Sequence, residues 1–302
     1  MTSHITTADA EARADWRPYA AFLVMCGIWS STFLAIRIGN EAVPPLWAAT
    51  LRLVIATAAL FLVARATGAA FPRGATLRDI VLYGAFQFGV NFGLLYWGEN
   101  AGVPSGVTAV VYATVPLSTA LFAAGIGIER LALAKLAAAL IGLGGVALIF
   151  TGELGVGVPT AGLVAVLLAA SSASLSGVFL KRAHSRSPFM ANAIGSAVGA
   201  PICFAGALLL GERIALPATV EGWAPILYLT ALGSLGAYVL FSWLLTRWSA
   251  TNVSFIGVVI PVLALALGAL VRNEQPGPLS FVGAAIVIVS VVLGLRRGAA
   301  AH

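Results

Sequence analysis

Residues 83–129 read YGAFQFGVNFGLLYWGENAGVPSGVTAVVYATVPLSTALFAAGIGIE, and this stretch recurs later in the chain without a gap. A shift of 145 positions pairs Tyr83 with Tyr228, Leu95 with Leu240, Pro116 with Pro261 and Glu129 with Glu274. Between these anchors, most positions in both copies are small or branched apolar residues. The register predicts a duplicated pair of apolar helices.

The two prolines of the repeat each lie near the middle of an apolar run, at 104–128 and 251–271. A proline inside a helix removes one backbone donor and displaces the carbonyl one turn earlier, here at Tyr112 and Gly257. Within a membrane such a break is tolerated only against protein or a wet cavity. Paired, proline-interrupted spans are typical of a transporter site. Pro116 and Pro261 are therefore predicted bend points or gates.

The composition places this chain among integral membrane proteins. Apolar residues make up 60% of the 302 residues and charged residues only 9%, far from the soluble norm. A net charge of +6 is compatible with a protein that binds nucleic acid. The Lys and Arg residues, however, collect in alternate loops, as they do in membrane proteins, so no nucleic-acid partner is expected. Cys26 and Cys203 fall inside apolar runs and are interpreted as packing residues.

Ten apolar segments can be read along the chain, most of them near the ~20 residues that a ~30 Å hydrocarbon core requires. They cover 18–36, 46–64, 77–97, 104–128, 131–150, 160–180, 188–210, 223–245, 251–271 and 279–295. The sequence thus predicts an all-α membrane protein of ten transmembrane helices. We divide it into a tail at 1–17, five-helix repeats at 18–151 and 152–297, and a tail at 298–302.

The loop charges predict the orientation of the chain. The side that holds the N-terminus carries Arg13, Arg17, Arg65, Arg73, Arg78, Arg130, Lys135, Lys181, Arg182, Arg186, Arg247, Arg296 and Arg297. The other side has only Arg37, Arg213 and Arg272. Both termini are expected in the cytoplasm, because Lys and Arg collect in cytoplasmic loops.

An odd number of spans per copy has a mechanical consequence. The second five-helix repeat must enter the membrane upside down relative to the first, which puts Glu129 inside and Glu274 outside. Two inverted halves around a central cavity provide two conformations of similar energy, one open to each side. The repeat therefore predicts transport by alternating access.

Polar and aromatic side chains inside the spans are the candidate substrate-binding residues, because each must find a partner or face water. Tyr83, Gln87 and Asn91 recur at every fourth position and are expected to share one helix face, which either lines a cavity or ties helices together. The full candidate set is Trp29, Ser30, Tyr83, Gln87, Asn91, Tyr112 and Tyr238.

Arg52 is the one charge well inside a predicted span, at a depth of about 9 Å for six residues of helix. It is expected to pair with Glu41 or Glu99, or else to bind an anionic group of a substrate. No Asp or Glu lies in the middle of a span, which disfavours proton coupling. No His lies in a span either, so neither a metal site, a catalytic residue nor an enzyme is expected.

Several of these residues form a pattern that resembles the EamA-type members of the drug/metabolite transporter superfamily. They are Trp29-Ser30-Ser31-Thr32-Phe33, Pro44-Pro45, Leu51-Arg52, Thr114-Val115-Pro116-Leu117 and Glu129. The resemblance implies ten helices in two inverted five-helix repeats, and export of amino acids, other metabolites or toxic organic compounds. The chain is similar in particular to bacterial exporters of aromatic amino acids. It departs at Ser30, where the family commonly has Gly, and at Ala173, where a Trp is frequent.

The predicted function is a secondary exporter of amino acids, with aromatic or other apolar ones favoured. We expect a cofactor-free monomer in the bacterial inner membrane. The alternatives are an exporter of organic cations or drugs, a carrier of phosphate esters or nucleotide sugars, and, least favoured, a channel or scaffold.

Overall fold

The protein is described by a computed structural model that covers residues 15–151, 157–272 and 277–296. These residues form helices joined by short connections, and no strand occurs among them. Residues 1–14 of the predicted tail at 1–17, the predicted tail at 298–302 and the repeat anchor Glu274 lie outside the described residues. The last residue of the first tail, Arg17, instead begins α1.

Twelve helices follow one another in the described part of the chain. They are α1 (Arg17–Ala42), α2 (Pro45–Ala66), α3 (Gly74–Asn100), α4 (Ser105–Tyr112), α5 (Val115–Gly125), α6 (Leu133–Ile149), α7 (Thr160–Ala183), α8 (Pro188–Leu209), α9 (Val220–Arg247), α10 (Ala250–Ser254), α11 (Ile256–Arg272) and α12 (Pro278–Arg296). Proline is the first residue of α2, α8 and α12, a position where its missing N–H costs nothing.

Each predicted apolar segment overlaps one of these helices or a consecutive pair of them. Eight helical stretches within the described ranges are long and apolar enough to cross a membrane, when α4 and α5 are counted together as Gly106–Gly125. Two shorter apolar stretches are α6 at Leu133–Ile149 and, across α10 and the start of α11, Ala250–Leu263. The protein is therefore an all-helical chain with several membrane-spanning helices.

Two π-helical segments, at Ala85–Asn91 in α3 and Leu229–Ala237 in α9, were not predicted. A shift of 145 carries the first segment onto 230–236, which lies inside the second. Such wide turns are rare and often lie at functional sites. Both long helices thus depart from α geometry at corresponding positions.

The predicted proline breaks differ between the two copies. In the first copy the helix is interrupted at 113–114, and Pro116 is in the first turn of α5. In the second copy the interruption is at Phe255, and Pro261 lies within α11. Pro261 therefore does not mark the break as expected, because the chain already leaves helical hydrogen bonding six residues earlier.

Helices α6 and α12 pack antiparallel, with their backbones in direct contact. A Cβ added at Gly283 would lie 2.5 Å from the carbonyl oxygen of Gly145. Gly142 lies beside Ser290 at one end of the crossing, and the Ser280 hydroxyl donates to the Ile149 carbonyl at the other. Glycine is required here because any side chain would separate the helices.

Helices α2 and α8 form a second antiparallel pair. Leu46, near the start of α2, lies against Gly206 near the end of α8. Ala56 and Leu60 pack against Ala193 near the start of α8. The α6–α12 and α2–α8 pairs therefore each join a helix of the first half of the chain to a helix of the second half.

Asp79 connects α3 to α7 through a buried carboxylate. Arg182 Nε and Nη2 donate to its two oxygens at 2.7 and 2.8 Å, and Arg78 Nε donates at 3.0 Å. Asp79→Asn should lower the free energy of unfolding by about 2 kcal/mol, because charge-assisted bonds at a buried group are lost. The midpoint of thermal unfolding in detergent measures this change.

Asp15→Asn is the matched control for this prediction. Asp15 pairs with Arg247, and both side chains are about half exposed, at 48% and 49%. Removing an exposed ion pair should cost no more than about 0.5 kcal/mol. Equal effects of the two substitutions would contradict a structural role for Asp79.

A candidate substrate cavity between the helices

A cavity of about 110 Å³ lies between the helices of the two sequence halves. Six of the predicted residues line it, namely Trp29, Arg52, Gln87, Asn91, Tyr112 and Tyr238. Apolar and small residues complete the wall, among them Ile36, Phe92, Leu95, Val115, Gly177, Phe241, Ser254, Gly257 and Ile260. The cavity is thus mostly apolar with a few convergent polar groups, as is typical of small-molecule sites.

Gln87 lies in the π segment of α3 and links three helices at the cavity. Its Nε2 donates to the Tyr238 hydroxyl on α9 at 2.8 Å. The Ser176 hydroxyl on α7 donates to Gln87 Oε1 at 2.6 Å. Both ends of the buried amide are therefore bonded, which fixes its orientation in the cavity wall.

Asn91 lies one turn further along the same helix and holds the helix break of the first half. The Tyr112 hydroxyl donates to Asn91 Oδ1, and Asn91 Nδ2 donates to the Gln87 carbonyl at 3.3 Å. Tyr112 is the last residue of α4. The polar groups of the π segment thereby position the end of α4 at the cavity.

Aromatic rings form the apolar part of the wall around Tyr238. Its ring centroid lies 4.9 Å from that of Trp29 and 6.0 Å from that of Phe92. Phe241 lies 5.7 Å from Trp29. Edge and tilted contacts of this kind hold the rings in place. We did not predict Phe92 or Phe241, because a phenylalanine in an apolar span carries no signal of its own.

Tyr83 and Ser30 do not line the cavity. Tyr83 is fully buried and donates to Asn192 on α8 at 2.8 Å, and Asn192 Nδ2 in turn donates to the Tyr238 carbonyl. Ser30 is bonded to the Gly27 carbonyl of its own helix at 2.8 Å. Of the three residues expected to share one helix face, Gln87 and Asn91 line the cavity, whereas Tyr83, one turn before Gln87, packs against α8.

Neither predicted proline lines the cavity, but both breaks are at its edge. A Cβ added at Gly257 would lie 2.6 Å from the Tyr112 carbonyl oxygen. Tyr112 and Gly257 are the positions one turn before Pro116 and Pro261, and they correspond under the shift of 145. The two halves therefore meet backbone to backbone at the cavity wall.

Arg52 is 3% exposed and reaches the cavity from α2. Its Nε donates to Ser234 Oγ at 3.0 Å and its Nη1 to the Tyr96 hydroxyl at 3.2 Å. Its Cζ lies 4.6 Å from the ring centroid of Phe92. The expected ion pair with Glu41 or Glu99 is not among the salt bridges of the described residues, so neutral groups hold this cation instead.

One end of the cavity is bordered by a set of hydrogen bonds that includes contacts between the two sequence halves. Glu129 accepts hydrogen bonds from the Ala250 and Thr251 N–H groups and, at 2.7 Å, from the Thr251 hydroxyl. Lys181 donates to the Leu245 carbonyl at 2.7 Å. Ala250 and Leu245 themselves line the cavity. We call this set the Glu129 latch, comprising Glu129, Lys181, Leu245, Ala250 and Thr251.

Membrane-spanning helices around an internal cavity are typical of membrane transporters of small molecules. The model of the EamA-like transporter family matches the chain twice, over residues 16–151 and 160–296. The chain belongs to the EamA-like transporter family, so the protein is a membrane transporter of small molecules and not an enzyme.

Curated relatives agree with this class over nearly their whole length. The chain is 29% identical to an uncharacterized inner membrane transporter of Escherichia coli, YedA, over 91% of this chain and 89% of that protein. It is 30% identical to a probable terminal-alkyne amino-acid exporter of Streptantibioticus cattleyicolor, over 89% and 90%. A probable amino-acid metabolite efflux pump of Escherichia coli is 27% identical over 91% and 94%.

A solved crystal structure has the same fold. It superposes with a TM-score of 0.74 at 20% identity and covers 94% of this chain and 98% of its own. At this identity the likeness concerns the fold alone.

Proposed function

We propose that the protein is a secondary exporter of amino acids, aromatic or other apolar ones in particular, that works by alternating access. The observation that carries the proposal is the cavity in which Trp29, Gln87, Asn91, Tyr112 and Tyr238 converge. Rings suit an apolar side chain, and the amide and hydroxyl groups suit the polar end of an amino acid. Two relatives whose names specify amino-acid export support the substrate class.

The architecture that we propose is two inverted five-helix repeats, at 18–151 and 152–297, with ten membrane crossings that include the two shorter apolar helices. Three observations support it. The family model matches each half, the π segments correspond under the shift of 145, and α6 runs antiparallel to its counterpart α12. Equivalent helices run antiparallel when two copies are related by an axis in the membrane plane.

The proposed location is the bacterial inner membrane, with both termini in the cytoplasm and a monomer as the working unit. The excess of Lys and Arg in alternate loops supports the orientation. The relative named as an inner membrane transporter supports the membrane. In this orientation the Glu129 latch lies at the cytoplasmic end of the cavity.

The first test is exchange in proteoliposomes loaded with labelled tryptophan, threonine or a quaternary ammonium compound, with and without a pH gradient. We expect exchange of tryptophan above the other two probes. Preferential exchange of the ammonium compound would favour a drug exporter, and flux far above carrier rates would favour a channel. No exchange of any amino acid would refute the proposal.

Tyr238→Ala tests the assignment of the cavity. Loss of the Tyr238 side chain leaves Gln87 Nε2 without its acceptor and removes the ring that lies 4.9 Å from that of Trp29. We expect tryptophan exchange to fall at least about 10-fold, because a buried donor without a partner and a lost ring contact together cost more than 1.4 kcal/mol. Tyr19→Ala, at a half-exposed position outside the cavity, is the control and should exchange normally. Equal rates in the two variants would place the site elsewhere.

A further inference from the structure

We infer that Arg52 binds the carboxylate of the substrate, so that the transported class is amphiphilic monocarboxylates and excludes amines and organic cations that carry no carboxylate. The inference rests on the proposed function and adds the group by which the substrate is recognised. Its basis is the position of Arg52 in the cavity wall, its burial and the identity of its neighbours.

Arg52 is a buried cation without an anionic side chain among its hydrogen-bond partners. A guanidinium removed from water is costly unless it is paired and hydrogen-bonded. Its contacts are two hydroxyls, Ser234 and Tyr96, and the face of Phe92, all of them neutral. None of the cavity-lining residues in the described chain is Asp or Glu. A substrate carboxylate would therefore supply the negative charge that balances Arg52.

The neighbours of Arg52 hold the guanidinium in a fixed orientation. Ser234 lies in the π segment of α9, and Tyr96 lies on α3, so the group is held from two helices. The Nη2 end of the guanidinium packs against Gly233, where a Cβ would lie 2.7 Å from it. A guanidinium has five N–H donors, and these two bonds use two of them. The remaining donors suit a carboxylate, which accepts two parallel bonds from arginine.

The rest of the cavity suits the body of such a substrate. Phe92 contacts both Arg52 and Tyr238, with Trp29 beyond Tyr238. An aromatic amino acid placed along this line has its carboxylate at Arg52 and its ring at Trp29 and Tyr238. An organic cation in the same place faces the guanidinium, and like charges repel.

The experiment compares four probes with one ring system and different charged ends. Proteoliposomes loaded with labelled tryptophan are given tryptophan, indole-3-propionate, tryptophanamide or tryptamine on the outside. We expect the two carboxylates to drive exchange at least about 10-fold better than the amide and the amine. This comparison uses the unaltered protein and does not depend on a variant that folds.

Variants then connect the selectivity to Arg52. Arg52→Gln should lose the preference for carboxylates, and Arg52→Lys should keep part of it, because a point charge binds a carboxylate without the paired geometry. Arg65→Gln, an exposed position at the end of the same helix, should keep the full preference.

The outcomes separate the two proposals. Exchange of tryptophan, tryptophanamide and tryptamine at similar rates would overturn the role of Arg52 while amino-acid transport stands. A folded Arg52→Gln protein that still prefers carboxylates would overturn it as well. Failure of the unaltered protein to exchange tryptophan with any probe would instead refute the proposed function.

Discussion

Replacing Glu129 with alanine is expected to open the end of the cavity that the Glu129 latch borders. The substitution leaves the N–H groups of Ala250 and Thr251 and the Thr251 hydroxyl without their acceptor. Charge-assisted bonds of this kind contribute about 1.5–3 kcal/mol, and a carboxylate at a helix N-terminus gains from the helix dipole. A loss of that size shifts a two-state equilibrium about 10- to 100-fold.

The readout is labelling of Ser254→Cys, a cavity-lining position that is 5% exposed, by a polar maleimide added from the proposed cytoplasmic side. The native cysteines, both free and buried, are replaced by alanine. We expect labelling to be at least about 10-fold faster when Glu129 is alanine, and exchange to slow because one end state is favoured.

Glu212→Ala is the matched control for the latch. Glu212 also accepts bonds from N–H groups at a helix start, those of Leu46 and Trp47 at 3.1 and 2.8 Å. Its loss should lower thermal stability to a similar extent but leave the labelling of position 254 unchanged, since neither Leu46 nor Trp47 lines the cavity. If both substitutions accelerated labelling equally, the latch would be a stabilising contact and not a gate.

Gly257→Ala adds a single methyl group and is expected to abolish most of the transport activity. The added Cβ would lie 2.6 Å from the Tyr112 carbonyl oxygen, so α11 and the end of α4 must move apart. Backbone atoms cannot rotate out of the way as a side chain can, and overpacking of this kind costs about 1–3 kcal/mol. Tyr112 also holds Asn91, so the displacement reaches the polar wall of the cavity.

We expect tryptophan exchange to fall at least about 10-fold in this variant, with a lower midpoint of thermal unfolding. Gly144→Ala is the control, because a Cβ there meets no atom within 4 Å. It should exchange within about twofold of the unaltered protein. Normal exchange by Gly257→Ala would mean that the contact between the two breaks does not matter to the transport cycle.

Sequence reasoning located most of the candidate site because polar and aromatic residues are rare inside apolar spans. Gln87, Asn91 and Arg52 stand out by their type alone, and all three line the cavity. The reasoning failed where tertiary geometry decides. Tyr83 has the same spacing as Gln87 and Asn91, but it donates to Asn192 on α8 and does not line the cavity, and no residue type announces that contact.

The helix breaks show the same limit. Proline predicts where a backbone donor is lost, and Pro116 does lie beside the break in the first half. In the second half the break at Phe255 precedes Pro261, within a region where Glu129, from the connection between α5 and α6, accepts bonds at the start of α10. The hydrogen-bond partners of Arg52 are not predicted either, because the hydroxyls of Tyr96 and Ser234 lie 44 and 182 residues away and local sequence does not connect them to Arg52.

The glycine crossing of α6 and α12 limits how the molecule can change shape. With backbone against backbone at Gly145 and Gly283, no rotamer change can widen that seam, and separation would expose carbonyl oxygens to lipid. The two helices can rotate relative to each other at this crossing, but they cannot separate. Any rocking of the two halves must then pivot about this fixed joint, so a crosslink across it should leave turnover intact, whereas one across the Glu129 latch should stop it.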